Sequence, residues 1–160
     1  MQVTEPRWLS AEEQQTWRAF GKAARLLFAQ LDRDLSREAS MAPGLYELLV
    51  LLSESPTKAM RMSELADATL SSPSRISHAV ERLVELGWAE RRTCPSDRRG
   101  WLAVLTDAGM NAIQTAAPYH VEHLHTHLFD ALSDQDRAEL RRISELILAR
   151  LPATSGGGGC

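Results

Sequence analysis

Aromatic residues make up only 6% of the 160-residue chain, and cysteine occurs twice, at Cys94 and Cys160. Two cysteines so far apart are too few for a disulfide framework and show no zinc-ligand spacing. Neither sign of charge dominates: 18 Lys and Arg against 21 Asp and Glu leave −3, which excludes a chain that is polybasic as a whole. No apolar run approaches the roughly 18 residues of a transmembrane helix, so no membrane partner is expected. The first residues, MQVTEPRWLSAEE, carry acids where a signal peptide needs an apolar stretch. There is no Gly-rich phosphate loop, no nucleophile elbow and no His-Glu-x-x-His run, so an enzyme is not expected. Four of the nine glycines sit in the terminal ATSGGGGC, which has linker composition. What remains is one soluble domain of the reducing cytoplasm over 1–152, followed by a flexible tail over 153–160.

Hydrophobic spacing then defines the ends of the chain. Ser10 with Glu13 is a capping-box pattern, and Trp17, Phe20, Ala24, Leu27, Leu31 and Leu35 follow at gaps of three and four. This predicts one helix of about seven turns within 10–40. Over 107–151, Met110, Ile113, Ala117, Val121, Leu124 and Leu128 repeat the alternation, with Pro118 expected to kink the helix. Ser133 with Asp136 starts a last helix carrying Leu140, Ile143, Ile147 and Leu151. Such long stripes need partners. An intramolecular bundle and a dimer interface satisfy them equally well.

The middle, 44–105, has a different texture. Leu45, Leu48, Leu49 and Leu52 mark a helix ending before Pro56, and Ser63 is the expected cap of a short one, SELADAT. SPSRISHAVERLVELGW follows, with Ser72 as N-cap, Pro73 at the first helical position and Gly87 as the stop. WAERR and WLAVL read as two strands about the polar turn TCPSDRRG, and Thr106 caps the next helix.

A helix, a short turn and a second helix over 63–86 can deliver that second helix to a DNA major groove. Its opening turns bear Ser72, Ser74, Arg75, Ser77 and His78, residue types suited to phosphate oxygens and base edges. By itself this also describes an ordinary N-capped surface helix. The hairpin sharpens it: RRTCPSDRRGW carries Arg91, Arg92, Arg98 and Arg99 against Asp97 alone. Residues 58–101 hold eight Lys and Arg against six acids, a net of +2 inside an acidic chain. A basic tip can place a guanidinium in an adjacent minor groove. A winged helix used for protein contact would instead carry an acidic or apolar second helix and hairpin.

Gly87-Trp88, Arg91, Asp97 with Arg99, and Leu105-Thr106 with Gly109 together resemble the wing signature of the MarR (multiple-antibiotic-resistance regulator) family. MSELADAT and SPSRISHAVERL resemble that family's helix-turn-helix. The resemblance covers about residues 10–151. It implies a mainly α fold with a minor β part: a winged helix-turn-helix flanked by long dimerisation helices. It further implies a homodimeric, sequence-specific regulator of transcription, a repressor bound to a pseudo-palindrome in double-stranded DNA. Carried over, Ser72, Ser74, Arg75, Ser77, His78 and Arg99 face DNA; Arg91 and Arg98 are further candidates on the basic hairpin, where the motif does not fix the roles of Arg98 and Arg92. Arg99 is the minor-groove arginine, and Asp97 orders the wing by pairing with an arginine such as Arg91. Pro73 departs from the polar or basic residue common at its position.

No cofactor is required on this reading, but three effectors are open. Trp8, Trp17, Phe20 and Arg25 are candidates to line a pocket for a small aromatic or phenolic anion, against plain core packing. His120, His123 and His127 share one helical face and are candidate Zn ligands, given a further ligand from the first helix or a partner chain. Cys94, in the wing and expected to be exposed, is a candidate for thiol oxidation.

Overall fold

The computed structural model describes residues 6–94 and 97–151, with the backbone alone for 97–99. Ten elements follow in order. Helix α1 spans Ala11–Glu38, α2 Leu45–Glu54, strand β1 Ala59–Arg61, α3 Met62–Ala68 and α4 Pro73–Glu85. Strands β2 (Ala89–Cys94) and β3 (Asp97–Leu105) form the hairpin. Then come α5 (Asp107–His127), a 3₁₀ turn (Phe129–Ala131) and α6 (Asp134–Leu148). The architecture is the mainly α winged helix-turn-helix that the sequence implies. The tail over 153–160 lies outside the described residues.

The capping signals explain most boundaries. Ser10 and Glu13 form a reciprocal capping box, and Ser133 with Asp136 repeats it at α6. Ser72 accepts from the backbone N–H of Arg75, and Thr106 from that of Gly109. Gly87, at φ +73°, closes α4 in a Schellman motif: Trp88 N–H reaches Leu83 O and Gly87 N–H reaches Val84 O, both at 2.9 Å. The α3 boundary differs from the expectation. Ser63 lies inside the helix, because Glu64 turns back to the backbone N–H of Arg61 and caps it two residues earlier.

Strand β1 was not legible in the sequence, since three residues carry no alternation to read. It exists because β3 offers a second edge, giving an antiparallel sheet of order β1-β3-β2. Ala59 pairs with Val104 and Arg61 with Leu102. Leu45, Leu48, Leu49 and Leu52 of α2 form the centre of the core, against Leu65 of α3, Ile76, Val80 and Leu83 of α4, and Ala103 of β3. Enclosing each such side chain contributes about 1.5–3 kcal/mol.

Helix α5 continues without a break across Pro118. Its inward face is one residue out of step with the expected stripe. Gly109, Ile113 and Ala116 are buried, whereas Val121 is half exposed. Close approach to the hairpin and to α2 favours small residues there, and small residues carry no hydrophobic signal. Continued by its period, this face presents His120, His123 and His127 to α1 and α2.

Only the last third of α1 packs within the chain, where Leu31, Asp34 and Leu35 are buried against α5. Trp17 and Phe20 remain 64% and 53% exposed. Helix α6 is exposed along its entire length, including Leu140, Ile143 and Ile147. Within one chain, the intramolecular bundle therefore accounts for a minority of the apolar stripe.

Candidate nucleic-acid interface

Helix α3 ends in a second Schellman turn, and this one is built on Leu70 at φ +51°. Ser71 N–H reaches Ala66 O (2.9 Å) and Leu70 N–H reaches Asp67 O (3.2 Å). The tight turn redirects the chain into α4, where Pro73 brings no N–H, Ser72 Oγ accepts from Arg75 N–H and Ser72 O accepts from Ile76 N–H. Ile76, Val80 and Leu83 recur at four and three residues and are buried, so this row fixes the rotation of α4. Ser72, Ser74, Arg75 and His78 are thereby left exposed on the outer side, with Ser77 at the margin. Arg75 has no ion pair among the described residues. His78 lies 3.5 Å from Glu81 one turn on.

The hairpin is braced against α4 through Arg91. Its Nη2 donates to Ser77 Oγ (3.2 Å), its Nη1 lies 3.6 Å from Glu81 Oε1, and its guanidinium sits over the Trp101 ring at 5.8 Å. Arg91 and Ser77, both half-buried, therefore hold each other across the joint, while Arg92 points out and pairs with Glu90 at 2.8 Å. At the base of the hairpin, Thr106 Oγ1 donates to Gly87 O (2.7 Å) and Thr106 N–H to Trp88 O (3.1 Å). Gly109 packs so closely there that a Cβ would fall on the carbonyl oxygen of Trp88 and 2.7 Å from Leu105 Cδ1. The Gly-Trp and Leu-Thr-x-x-Gly elements of the sequence are one knot joining hairpin to α5. The side chains of Asp97, Arg98 and Arg99 lie outside the described residues.

Cys94 is a correction. It is 2% exposed, and Arg61 Nη2 donates to its Sγ at 3.3 Å, because the bulge between Thr93 and Cys94 turns it inward. Trp8, Trp17, Phe20 and Arg25 are all exposed within one chain, strung along or before the outer part of α1. A cavity of about 620 Å³ lies between α1, α2, the start of α4, and α5, and none of the four lines it.

The three histidines separate. His120 turns to α2, its ring 4.7 Å from that of Tyr46, with Nδ1 enclosed and unpartnered. Burial, and secondarily the charge of His123, push its pKa below the ordinary value. His123 and His127 stack at 5.7 Å and face α1. There, Asp34, only 1% exposed, accepts from His127 Nε2 (2.8 Å) and Gln30 Nε2 (3.0 Å) and pairs with Arg37 (2.9 Å). His123 Nε2 meets Glu38 at 3.0 Å. Burial alone would raise the Asp34 pKa, but the bonds from Gln30 and His127 and the charges of His123 and Arg37 outweigh it and hold the carboxyl below its usual range. One ligand atom each from Asp34, His123 and His127 fall within 4.8 Å of one another.

Asp34 and Glu81 are the participants that sequence reasoning missed. Asp34 lies three residues beyond Leu31, on the apolar stripe itself; an acid on a buried stripe was the signal available. Glu81 carried none, since an acid on an exposed helix is ordinary.

A MarR family model matches residues 46–100, from α2 into β3. The chain is 43% identical to Sco3205, a MarR family transcriptional regulator of Streptomyces coelicolor whose crystal structure is a complex with DNA. That likeness covers 95% of this chain and 96% of the other, with a TM-score of 0.85. AbsC, a MarR family transcriptional regulator of the same organism, is 40% identical over 91% of this chain and all of its own, with a TM-score of 0.78. A protein of Thauera aromatica assigned to regulation of the hcr operon is 33% identical over 86 residues, 54% of this chain, and the chain spans 51% of that relative.

Proposed function

The chain belongs to the MarR family of transcriptional regulators, and from that premise we propose that it is a homodimer placing two α4 helices in successive major grooves of double-stranded DNA. The observation that carries this is the orientation of α4. Its apolar row is spent on the core, and its exposed N-terminal turns offer hydroxyls, His78 and an arginine with no ion pair among the described residues. Phosphate oxygens and a guanine edge are the complements of that set. Arg75 is the base-reading residue, Ser72, Ser74 and His78 are phosphate contacts, and Arg98 and Arg99 serve the flanking minor groove. Arg91 and Ser77 hold the wing at its angle to α4. Half-sites then lie about one helical turn apart, roughly 10 base pairs. Such a dimer represses by covering a promoter in the cytoplasm. No helix of the described chain is long and apolar enough to cross a membrane.

The test is a binding titration on operator DNA selected from random sequence. Arg75→Ala is expected to weaken binding by about 1–3 kcal/mol and relax one base position, whereas an unchanged affinity removes α4 from the groove. Failure to select any sequence would favour a protein-interaction module.

A second reading is supported by Asp34, His123 and His127. Two imidazoles at i and i+4 with a carboxylate from another helix suit Zn²⁺, which takes nitrogen and oxygen ligands and an open fourth position. In this reading His120 is not a ligand, since its ring packs on Tyr46. Titration of chelated protein with Zn²⁺ is expected to give one ion per chain, lost in His127→Ala; no uptake leaves the cluster as a plain brace between α1 and α5.

A further inference from the structure

The inward face of β3 runs on beyond the core it covers. Ala103 is buried and Leu105 packs on the core, but Trp101, next towards the tip on the same face, is 47% exposed. Its partner across the hairpin, Thr93, is exposed as well. The Arg91 guanidinium lies 5.8 Å from the centre of the indole, and Arg91 in turn reaches Ser77 and Glu81 of α4. Ser77, Arg91 and Trp101 thus form a row across the joint between α4 and the hairpin. Among the described residues the indole N–H has no acceptor. An indole combines an apolar body with one polar tip, which suits a surface that a partner covers.

Two elements that enter neighbouring grooves of a duplex have one sugar-phosphate strand between them, because that strand divides the grooves. With α4 in the major groove and the hairpin tip in the minor groove, the strand must cross this joint. Arg91 gives the joint positive charge, and Trp101 stands on its hairpin side.

We propose that Trp101 is a contact to the DNA backbone: its N–H donates to a phosphate oxygen, and its ring covers the adjoining deoxyribose. Arg91 holds the ring at that angle from behind. The contact rests on the DNA-binding reading. The wing signature read in the sequence skips this position, and a single exposed aromatic on a strand carries no motif. A contact to sugar and phosphate carries no base information, and a neutral indole releases no counterion. Those two properties separate Trp101 from Arg75 and from the arginines of the tip.

The test titrates the full-length parent, Trp101→Ala and Trp101→Phe into two labelled duplexes, the selected operator and a scrambled sequence. Trp101→Ala is expected to weaken both by the same factor, about tenfold for one hydrogen bond to a charged group. The slope of affinity against salt is expected to stay unchanged. Trp101→Phe keeps a ring over Arg91 and is expected to lose only part of that factor. The emission that Trp101→Phe removes from the parent should become shielded from acrylamide when DNA binds, which a mere brace for Arg91 would not show. A parent that binds neither duplex overturns the DNA-binding reading and this contact with it. Where the parent binds, unchanged affinity in Trp101→Ala, or Trp101 emission equally open to acrylamide with DNA, overturns the contact alone. A loss confined to the operator, or a salt slope shallower by about one, would mean that the indole only aims the tip arginines, and overturns it too.

Discussion

At the scale of single residues, the hairpin is positioned by atoms that are absent as much as by those present. Gly109 lies where the first turn of α5 presses on the carbonyl of Trp88, and no side chain fits. Gly109→Ala is therefore expected to cost about 2–3 kcal/mol, by overpacking against backbone that cannot yield. Urea denaturation reads this directly, and a loss under 0.5 kcal/mol on that ~1 kcal/mol scale would contradict the close approach. His120 is the second single-residue case. Its folded pKa is below the ordinary 6.5, so just below that pH the unfolded chain binds more protons than the folded one. Its contribution to stability is thus full above the unfolded value and falls as pH drops toward the lower folded value. His120→Phe should lose less melting temperature than the parent between pH 7.5 and 5.5; an identical pH dependence would place His120 in water.

At the scale of elements, the joint between α1 and α5 is polar where a sequence stripe suggests it should be oily. Asp34 gathers Gln30, Arg37 and His127, and Glu38 engages His123 one turn on. A buried carboxylate with this many donors leaves them orphaned when removed. Asp34→Ala is expected to destabilise by about 3 kcal/mol, near the lower end of broken buried pairs because His127 and Arg37 are partly exposed. Amide exchange should quicken in α1 and the end of α5 before it does in α2. Uniform quickening would show that the joint is not a separate unit. The brace from Arg91 to Ser77 and Glu81 plays a similar part between hairpin and α4.

At the scale of the whole molecule, most of the large apolar residues left uncovered fall at its two ends in sequence, with Leu70, Val84, Trp101, Tyr119 and Val121 the exceptions among the described residues. Trp17, Phe20 and Phe28 on α1, with Leu140, Ile143, Ile147 and Leu151 on and after α6, are all more than a third exposed, and rows of large apolar side chains on two helices are the kind of surface that marks an interaction face. A second copy is the occupant consistent with the family. Ile143→Asp is expected to reduce the sedimenting mass from twice 17.8 kDa to 17.8 kDa, leaving the melting of the winged lobe in place. A variant that stays dimeric would move the interface away from α6. Loss of the dimer should also abolish tight DNA binding, because one half-site then acts alone.

Local rules acting over three or four residues settled a great deal in the sequence itself. The caps at Ser10, Ser72, Thr106 and Ser133, the stop at Gly87, the apolar row of α4 and the two long hairpin strands were all legible because hydrogen bonding and helical period are local. The wing signature was legible too, and the knot of Gly87, Trp88, Thr106 and Gly109 is its physical cause. What only the tertiary structure decided depends on neighbours far apart in the chain. It added β1 because an edge of β3 was free, and shifted the inward face of α5 by one residue because close packing selects Gly109 and Ala116 over larger side chains. It brought Asp34 to His123 and His127 and buried Cys94. The scarcity of cysteine, aromatics and net charge limited what the chain could be. Which of its few charged groups meet one another was decided by how α1, α2 and α5 pack, since enclosure from water is a property of the fold and of no single segment.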